Sequence, residues 1–214
     1  MTISDLMPLG PEPALTKAAR RILDAASGLF YEQGIHAVGV DTIAENAGVT
    51  KKTIYDRFGS KEALVVAYLQ DRDRRWRTFL ESSLAETVGL PGADRILAVY
   101  DISEQWAERN STNGCSAINA QAEIPDASYP SHTEVVRQKA WMHAVFRRLC
   151  VEAEAGDSAE AADSADSADS DADADELAHA LMLLYEGALV TLGMGTFEHP
   201  FRSARRAAGA LLGR

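Results

Sequence analysis

The stretch of residues 39–58 constrains what this chain can fold into more than any other segment. Its apolar spacing predicts two short helices around a tight turn at Gly48, and the second helix begins at Lys51 and Lys52 after a good N-cap, Thr50. A helix N-terminus carries partial positive charge, so each lysine there destabilises the helix by about 0.3–1 kcal/mol. No acidic residue in the same turn offsets the two cations. This pattern favours a helix whose tip binds an anion, and we predict that the anion is DNA.

The predicted second helix has the length and the side chains needed to read a duplex. Eight helical residues span about 12 Å, which fits a major groove about 12 Å wide. Lys51, Lys52 and Thr53 lie at the end that would face the base edges. Tyr55 and Arg57 offer a phenol and a guanidinium for phosphates or bases.

Two further charges near this helix have more than one interpretation. Asp56 could repel phosphate, accept a hydrogen bond from cytosine or pair with Lys52 one turn away, and we favour the pairing. Lys61 is another cation in a first helical turn, a poor place for it unless a phosphate is near. The alternative for the whole stretch is an ordinary helical hairpin with a solvated cationic face.

The charge distribution reverses the first impression given by a net charge of −11. Between residues 14 and 80 eleven Lys and Arg oppose eight Asp and Glu, a net charge of +3. Residues 152–176 contain eleven acids and no base, which equals the excess of the whole chain. The acidic total therefore does not exclude a nucleic acid as partner of the N-terminal part.

Composition also indicates the compartment. The two cysteines, Cys115 and Cys150, form no disulfide framework, and no basic region followed by an apolar run marks a signal peptide. Residues 177–197 are apolar enough to raise the question of a membrane span, but Glu186 and His179 would be costly in hydrocarbon. We predict a cytoplasmic protein.

The rest of the pattern predicts an all-α fold, because no segment has a convincing strand pattern. Residues 1–14, with three prolines and no periodicity, are predicted to be a disordered tail. Residues 71–75 are charged on every face, which predicts a helical stretch exposed between two domains. Further helices are predicted at about 16–33, 60–86, 93–108, 131–154, 176–194 and 201–212, with a short one starting within 114–120.

An Ala/Asp/Ser low-complexity segment at 155–175 is predicted to be a solvated linker. Its alternating aspartates suggest a calcium loop, but an EF-hand needs glycine and glutamate where this chain has Ala174 and Ala180. We therefore reject calcium, and we predict no cofactor. His143 and His179 do not stand at the sequence spacing of metal ligands, so we also predict no metal site.

The helix predicted at 176–194 is apolar on two sides, and both sides must be covered. One side can pack on its own domain and the other on a second copy of the chain, with the final helix completing a helix-bundle dimer. The first stripe, which we assign to the dimer interface, is Leu177, Leu181, Leu184, Ala188 and Leu192. The second is Ala180, Leu183, Gly187, Val190 and Met194.

The sequence indicates the residues of a ligand pocket less specifically than those of the DNA-binding helix. Candidates are the large or polar residues of the C-terminal helices, although most of them could equally be core: Tyr100, Trp106, Cys115, Asn119, Trp141, Met142, Phe146, Met182 and Tyr185. Cys115 could sense oxidants or electrophiles only with a cation beside it, and the nearest in sequence is Arg109.

Residues 16–76 resemble the DNA-binding domain of the TetR (tetracycline repressor) family of bacterial regulators. The agreement runs at fixed spacing through residues 22–26, 29–30, 33–34, 43–44, 47–50, 53–55 and 58–64. Gly114, Cys115, Asn119 and Glu123, followed by Pro125 and Asp126, resemble a segment in an AcrR-like subgroup. The acidic segment before the helix at 176–194 departs from the family pattern.

The resemblance implies a homodimer whose three-helix heads, each with a helix-turn-helix, enter successive major grooves of a palindromic operator. A helical effector-binding and dimerisation domain would follow at 77–214, after a DNA-binding domain at 15–76. By this resemblance the backbone contacts would come from Thr42, Thr50, Tyr55 and Lys61, and the base or backbone contacts from Lys51, Lys52, Thr53 and Arg57. Gly39 stands where the family often has a capping Ser or Thr that touches phosphate, so that contact is not carried over.

The leading hypothesis is therefore a ligand-responsive transcriptional regulator, most simply a repressor released by a small-molecule effector. A DNA-binding dimer without an effector is the first alternative. A helical enzyme using a C-terminal cavity is the second, although the sequence offers no defensible catalytic triad, phosphate loop or metal cluster.

Overall fold

The computed structural model describes residues 3, 6–10, 14–110, 113–160 and 167–214. Within these residues the chain forms helices and no strands, which confirms the predicted all-α fold. The helices are α1 Lys17–Gln33, α2 Val40–Ala47, α3 Lys51–Phe58, α4 Lys61–Ala85, α5 Gly92–Asn110, α6 Ser116–Glu123, α7 Pro130–Glu160, α8 Ser167–Met194 and α9 Pro200–Leu211.

The chain divides into two compact units. The head unit comprises Leu9–Arg75 and Cys115–Gln138, and the C-terminal unit comprises Met1–Pro8, Trp76–Gly114 and Lys139–Arg214. The first break between the units falls between Arg75 and Trp76. Helix α6 and the start of α7 are part of the head unit.

The core of the head unit explains why α6 belongs to it. Ile22, Ile43 and Ile54, one from each of the first three helices, are fully buried together. Ala117 and Ala120 of α6 are buried in the same cluster. Their small side chains allow α6 to approach closely, and the apolar area removed from water stabilises the unit at about 25 cal/mol per Å².

The C-terminal unit has its own aromatic core. Tyr100, Phe146 and Tyr185 pack with ring centroids 5.8–6.5 Å apart, and Phe201 of α9 lies 6.0 Å from Tyr185. The buried hydroxyl of Tyr100 donates to the carbonyl of Leu181 at 2.8 Å, which satisfies its only polar group. This core joins α5, α7, α8 and α9.

Most of the segment predicted as a linker is helical. Helix α7 continues to Glu160 and α8 begins at Ser167, so of residues 155–175 only 161–166 lie outside the described residues. Alanine has the highest helix propensity, and aspartates at the start of α8 are favoured by its dipole, which accounts for the difference. The linker prediction gives more weight to the low complexity of the segment than to this helix propensity. Of the predicted tail, residues 1, 2, 4, 5 and 11–13 also lie outside the described residues.

Helix α8 turns the stripe assigned to the dimer interface towards its own core. Leu181 and Ala188 are buried there, and Leu177, Leu184 and Leu192 pack partly buried against the same core. The second stripe carries the exposed apolar surface, with Leu183 74% and Met194 70% exposed. Both predicted apolar stripes are present, and the stripe assigned to the dimer interface is the one that packs against the core of its own unit.

Helix α8 also passes a test of length and hydropathy for a membrane span, over Ala172–Met194 at a mean hydropathy of 1.5. Glu186 in its middle forms an ion pair with Lys139 of α7, whose ammonium donates to both carboxylate oxygens at 2.9 and 2.8 Å. A charged pair within one protein unit suits a helix packed against another helix in water better than one in lipid.

Residues 71–75 are not uniformly exposed, in contrast to the prediction. Asp73 is only 5% exposed, and it accepts a hydrogen bond from Arg137 of α7 at 2.6 Å. Arg137 also donates to the buried Glu134. Burial raises the pKa of Glu134, but hydrogen bonds from Arg137, Gln138 and Gln70 outweigh it and hold the pKa below the ordinary value. Charge density alone does not reveal this buried pairing within the head unit.

Replacing Arg137 by glutamine is expected to lower the free energy of unfolding by about 3–5 kcal/mol at neutral pH, because two buried carboxylates lose their cation. The pKa of Glu134 is depressed in the folded protein, so its stabilising contribution is present above the unfolded-state pKa and is lost as the pH falls through the folded-state value. The difference between wild type and variant should therefore shrink in acid. Urea unfolding followed by circular dichroism, at neutral and at acidic pH, measures the loss of stability and its dependence on pH. The Arg206→Gln variant, at an exposed position, is the control. A loss below about 1 kcal/mol would contradict the assignment.

Candidate nucleic-acid interface

The turn between α2 and α3 has the geometry that the sequence predicts. Gly48 adopts a left-handed conformation (φ 62°, ψ 42°), and its N–H donates to the carbonyls of Ala44 and Glu45. Thr50 then caps α3, because its hydroxyl accepts from the N–H of Thr53 at 3.2 Å. Ile54 is fully buried and holds α3 against the head core. The turn and cap are confirmed, and they fix the direction in which the N-terminus of α3 points.

Two lysines form the tip of α3, and the first turn of this helix contains no acid. The Lys51 ammonium donates to Asp41 of α2 at 3.0 Å, and this hydrogen bond to the carboxylate raises the lysine pKa. The Lys52 ammonium donates to Asp56 at 2.7 Å, which confirms the favoured pairing one turn apart. The side chains of Lys51 and Lys52 are 50% and 82% exposed. Both cations therefore reach solvent.

Neither ion pair is strong enough to withhold its lysine from DNA. Exposed pairs contribute about 0–1 kcal/mol each, because water and salt screen them. A phosphate or a guanine edge offers a lysine at least as good an acceptor. The pairs instead orient the ammonium groups at the helix tip in the absence of DNA.

The other predicted contacts lie around this tip. Thr42, Tyr55 and Arg57 are exposed, while Thr53 is half-buried and shares a 2.9 Å hydrogen bond with the hydroxyl of Thr50. Gly39 begins α2 without a side-chain cap, as its lack of a side chain requires. The backbone N–H groups at the start of α2 remain available to an anion, although no side chain assists there.

The unfavourable position of Lys61 in the first turn of α4 is offset by contacts that the local sequence does not reveal. Its ammonium donates to the carbonyl of Ile35 at 2.7 Å and lies 5.9 Å from the centroid of Phe30. This hydrogen bond offsets the unfavourable position in the first turn of α4, so a phosphate is not needed to explain the residue. The ammonium has two further protons with which to donate to a phosphate.

Glu123 is a structural residue that sequence reasoning does not place. Its carboxylate accepts from the backbone N–H groups of Ile35 at 2.9 Å and His36 at 2.8 Å. The loop between α1 and α2, which leads into the helix-turn-helix, is thus held by the end of α6. In the sequence, Glu123 stands out only through the resemblance of its segment to an AcrR-like subgroup. Its contacts with Ile35 and His36 span more than eighty residues and leave no local sequence pattern.

The predicted pocket residues divide between the two units. Tyr100, Trp141, Met142, Phe146 and Tyr185 are buried in the core of the C-terminal unit, with exposures of 0–5%. Trp106 and Met182 are half-buried in the same unit. Cys115 and Asn119 belong to the head unit, where Cys115 stands at the N-cap of α6 and Asn119 is exposed. The five buried residues belong to the core and offer a ligand little surface. Of the candidates in the C-terminal unit, Trp106 and Met182 are the two with accessible surface for a ligand.

Trp106 belongs to an aromatic cluster that the sequence prediction does not include. Trp76, Phe79 and Trp106 lie with ring centroids 5.4–6.5 Å apart and are all half-buried. The guanidinium of Arg109 lies 5.7 Å from the Phe79 centroid. An accessible cluster of flat rings beside a cation can bind a planar apolar molecule with an anionic or polar end. Trp76 and Phe79 escape the prediction because they lie in α4, the helix that leads out of the head.

The surroundings of Cys150 are not those of a reactive thiol. Cys150 is buried, and burial, together with the nearby Glu154, raises the pKa of its thiol to about 12. It is therefore protonated at neutral pH and inert. Cys115 is half-buried at the start of α6.

A short capped helix with a cationic tip, set behind a left-handed glycine turn, defines a helix-turn-helix DNA-binding protein. Two family models match the chain: "Bacterial regulatory proteins, tetR family" over residues 22–68 and "Tetracyclin repressor-like, C-terminal domain" over residues 92–208. The chain belongs to the TetR family. It is a transcriptional regulator that binds DNA, and it is not an enzyme.

Known proteins support this assignment both by sequence similarity and by structural similarity. The activator FasR of Mycolicibacterium smegmatis is 48% identical over 50 residues, which are 23% of each chain. The repressor NemR of Escherichia coli is 30% identical over 108 residues, 50% of this chain and 54% of NemR. The matched segments thus cover about half or less of these relatives. SCO4454, a TetR-family regulator of Streptomyces coelicolor, superposes with a TM-score of 0.74 at 26% identity, covering 91% of this chain and 94% of that one.

Proposed function

We propose that the chain acts as a homodimeric repressor that leaves a palindromic operator when a small-molecule effector binds. The observation that carries the proposal is the tip of α3, where two exposed lysines stand in a first helical turn without an acid. Such a tip is destabilising by itself and becomes favourable beside phosphates. The relative NemR is a repressor, and its match extends over more of this chain than the match to the activator FasR, which supports repression as the direction of regulation. The site of action is the cytoplasm, where the DNA is.

The proposed docking places α3 in the major groove with its N-terminus towards the base edges. Lys51, Lys52 and Thr53 contact bases or backbone there, and Arg57 extends the cationic surface along the groove. Thr42, Thr50, Tyr55 and Lys61 contact the phosphates on either side. Two heads related by a two-fold axis read two half-sites, so the operator is palindromic and its half-sites are about 34–36 Å apart, or a multiple of this distance.

The proposed dimer surface combines the exposed stripe of α8 with α9. Leu183, Gly187, Val190 and Met194 recur at three- and four-residue spacing and therefore share one face of α8. Apart from the backbone of α8 itself, no atom of the described residues lies within 4 Å of the position that a Cβ would take at Gly187, so a partner helix can approach closely. Helix α9 adds small and apolar exposed residues: Ala207, Ala210 and Leu211. An exposed apolar surface of this kind is typical of an obligate subunit interface.

The proposed effector site is the accessible aromatic cluster of Trp76, Phe79 and Trp106 with Arg109. Stacking on the two indoles favours a flat, largely apolar ligand, and Arg109 favours one with a negative or polar end. Effector binding would shift the heads through α4, which carries Trp76 and Phe79 and also contributes to the head. A coupling of about 1–3 kcal/mol, or 5- to 150-fold in operator affinity, is typical of such regulation.

A DNA-binding dimer that acts without an effector is the alternative function. The accessible aromatic cluster favours an effector over this alternative, because its half-buried indoles offer a ligand an apolar surface that a dimer without an effector would not use. The two functions differ in one measurement: only the regulated dimer changes its operator affinity when a small molecule binds.

The experiment that tests the proposal selects genomic fragments bound by the purified protein and then measures their release. We expect one or a few fragments with a shared palindrome, and a drop in affinity with ligands suggested by the neighbouring genes. Transcription from a reporter carrying the fragment should rise when the protein is removed. Absence of bound fragments in dilute buffer would refute DNA binding, and a fall in transcription on removal would make the protein an activator.

Ligands can be screened by tryptophan fluorescence, because all three tryptophans, Trp76, Trp106 and Trp141, lie in the C-terminal unit. A ligand that binds the cluster is expected to quench the two half-buried indoles, and the Trp106→Phe variant should respond less. The buried Trp141→Phe variant is the control and should keep the ligand response. An unchanged response in Trp106→Phe would place the effector elsewhere.

A further inference from the structure

A histidine from α7 meets an aspartate and a histidine from α8 at the edge of the C-terminal unit. The carboxylate of Asp175 lies beside both imidazoles, with Oδ1 3.9 Å from Nε2 of His143 and Oδ2 3.8 Å from Nδ1 of His179. The two rings are stacked with centroids 4.4 Å apart. One potential ligand atom from each residue can be chosen so that all three lie within 4.8 Å of one another.

One atom of this cluster is unexplained by the protein alone. Nε2 of His143 is buried and has no hydrogen-bond partner among the residues that the structure describes. Buried polar atoms are nearly always paired, so an isolated one calls for an ion or a water molecule at that position. The nearest carboxylate oxygen is at 3.9 Å, too far for a hydrogen bond but suited to a ligand shared by both.

We propose that His143, Asp175 and His179 bind one divalent transition-metal ion, with Zn²⁺ as the preferred ion. Two ligands of a tetrahedral Zn²⁺ ion, each about 2.0–2.2 Å from the metal, are roughly 3.3–3.5 Å apart. The three ligand atoms lie within 4.8 Å of one another, so side-chain rotations that close the longest separation by roughly 1–1.5 Å bring them to this geometry. Two nitrogens and one carboxylate oxygen suit Zn²⁺ and exclude a preference for Mg²⁺ or Ca²⁺, which take oxygen ligands.

The helices supply this set of ligands with little distortion. Asp175 and His179 are four residues apart on α8 and share one face, while His143 faces them from α7. The side chains of His143, Asp175 and His179 are 25%, 43% and 62% exposed, so an ion can enter from solvent and retain water at a fourth position. The guanidinium of Arg147 lies 3.4 Å from Oδ1 of Asp175 and can orient the carboxylate from outside the ligand set.

The bound ion would join α7 to α8, the helix whose exposed stripe forms the proposed dimer surface. No local pattern in the sequence indicates this cluster, because His143 lies 32 residues before Asp175. The metal site does not depend on the proposed effector or on DNA binding. Its failure would leave both of those proposals unaffected.

The test uses the full chain without a histidine tag, freed of metal by a chelator, and titrated with Co²⁺ in excess Mg²⁺. Mg²⁺ occupies any weak sites made of carboxylates alone, including those of the acidic segment. We expect a visible d–d absorption band that saturates at one Co²⁺ per chain and is displaced by Zn²⁺. We also expect Zn²⁺ to raise the melting temperature.

The variants His143→Asn and His179→Asn are expected to lose the band and to weaken Zn²⁺ binding by about tenfold or more, since even outer contacts of a metal site are worth about that much. His179 is largely exposed, so its replacement leaves the fold intact, as circular dichroism can verify. His199→Asn is the matched control, because His199 also lies beside a carboxylate, that of Glu104, in the same unit. Absence of the band in wild type, its loss in excess Mg²⁺, or equal affinity in His179→Asn would each overturn the site.

Discussion

Replacing Lys51 and Lys52 together by alanine is expected to weaken operator binding by about 1000-fold or more and to flatten its dependence on salt. The interaction of each lysine with a base or phosphate is worth about 1–3 kcal/mol, and the dimeric variant forgoes four such interactions. Each phosphate contact adds about 0.9 to the slope of log affinity against log salt, so the slope should fall by about 2 to 4 per dimer. Fluorescence anisotropy with the selected operator, at several salt concentrations, measures both quantities.

Two further variants sharpen this experiment. Arg206→Ala with Arg214→Ala removes the same charge from the C-terminal end of the chain and should leave the slope nearly unchanged, provided that the variant remains dimeric. Asp41→Asn with Asp56→Asn removes the carboxylates that pair with the two lysines. This second variant should bind nonspecific DNA more tightly. An unchanged slope in the lysine variant would mean that the tip of α3 does not contact DNA.

Replacing Leu183 or Gly187 by arginine is expected to convert the proposed dimer into monomers. In a two-fold interface each substitution appears twice and brings like charges together, so a rise in the dimer dissociation constant of about 100-fold or more is expected. Both positions are accessible in the protomer, so the helix content should remain. Light scattering coupled to gel filtration, over a range of concentrations, measures the change.

The matched control for the interface is Val88→Arg. Val88 is an exposed apolar residue of the same unit, 76% exposed against 74% for Leu183, but it lies outside α8 and α9. It should leave the dimer intact. A Leu183→Arg protein that remains dimeric down to nanomolar concentration would put the interface on another surface. The monomeric variant should also bind a single half-site far more weakly than the wild type binds its palindrome.

The head is predictable from sequence because its signals are local. Gly48, Thr50 and the two lysines act within one or two helical turns, and the structure bears out the turn, the cap and the pairing of Lys52 with Asp56. The helical class follows in the same way from periodicity. Local propensity also explains the error at 155–160 and 167–175, where alanine-rich sequence forms the end of α7 and the start of α8.

The features that escape prediction all depend on contacts between distant segments. Glu123 binds backbone groups at residues 35 and 36, and Arg137 neutralises Asp73 from 64 positions away. The orientation of α8 is ambiguous for the same reason, since both its stripes are apolar and only the neighbouring helices decide which one is buried. Leu181, which the sequence pattern assigns to the dimer interface, faces the core of its own unit, whereas Leu183 faces solvent.

The participation of α6 in the head unit has a consequence for chimeric regulators. A head excised at residue 76 would lack Ala117, Ala120 and Val135 from its core and the Glu123 carboxylate from its loop. Such a fragment should fold poorly. If it were grafted onto a foreign sensor domain, its loop between α1 and α2 would meet an α6 from another protein, whose residues are not matched to that loop. Transplantation of the DNA specificity of this protein therefore calls for exchanging α2 and α3 alone, or for carrying residues 115–138 along with the head.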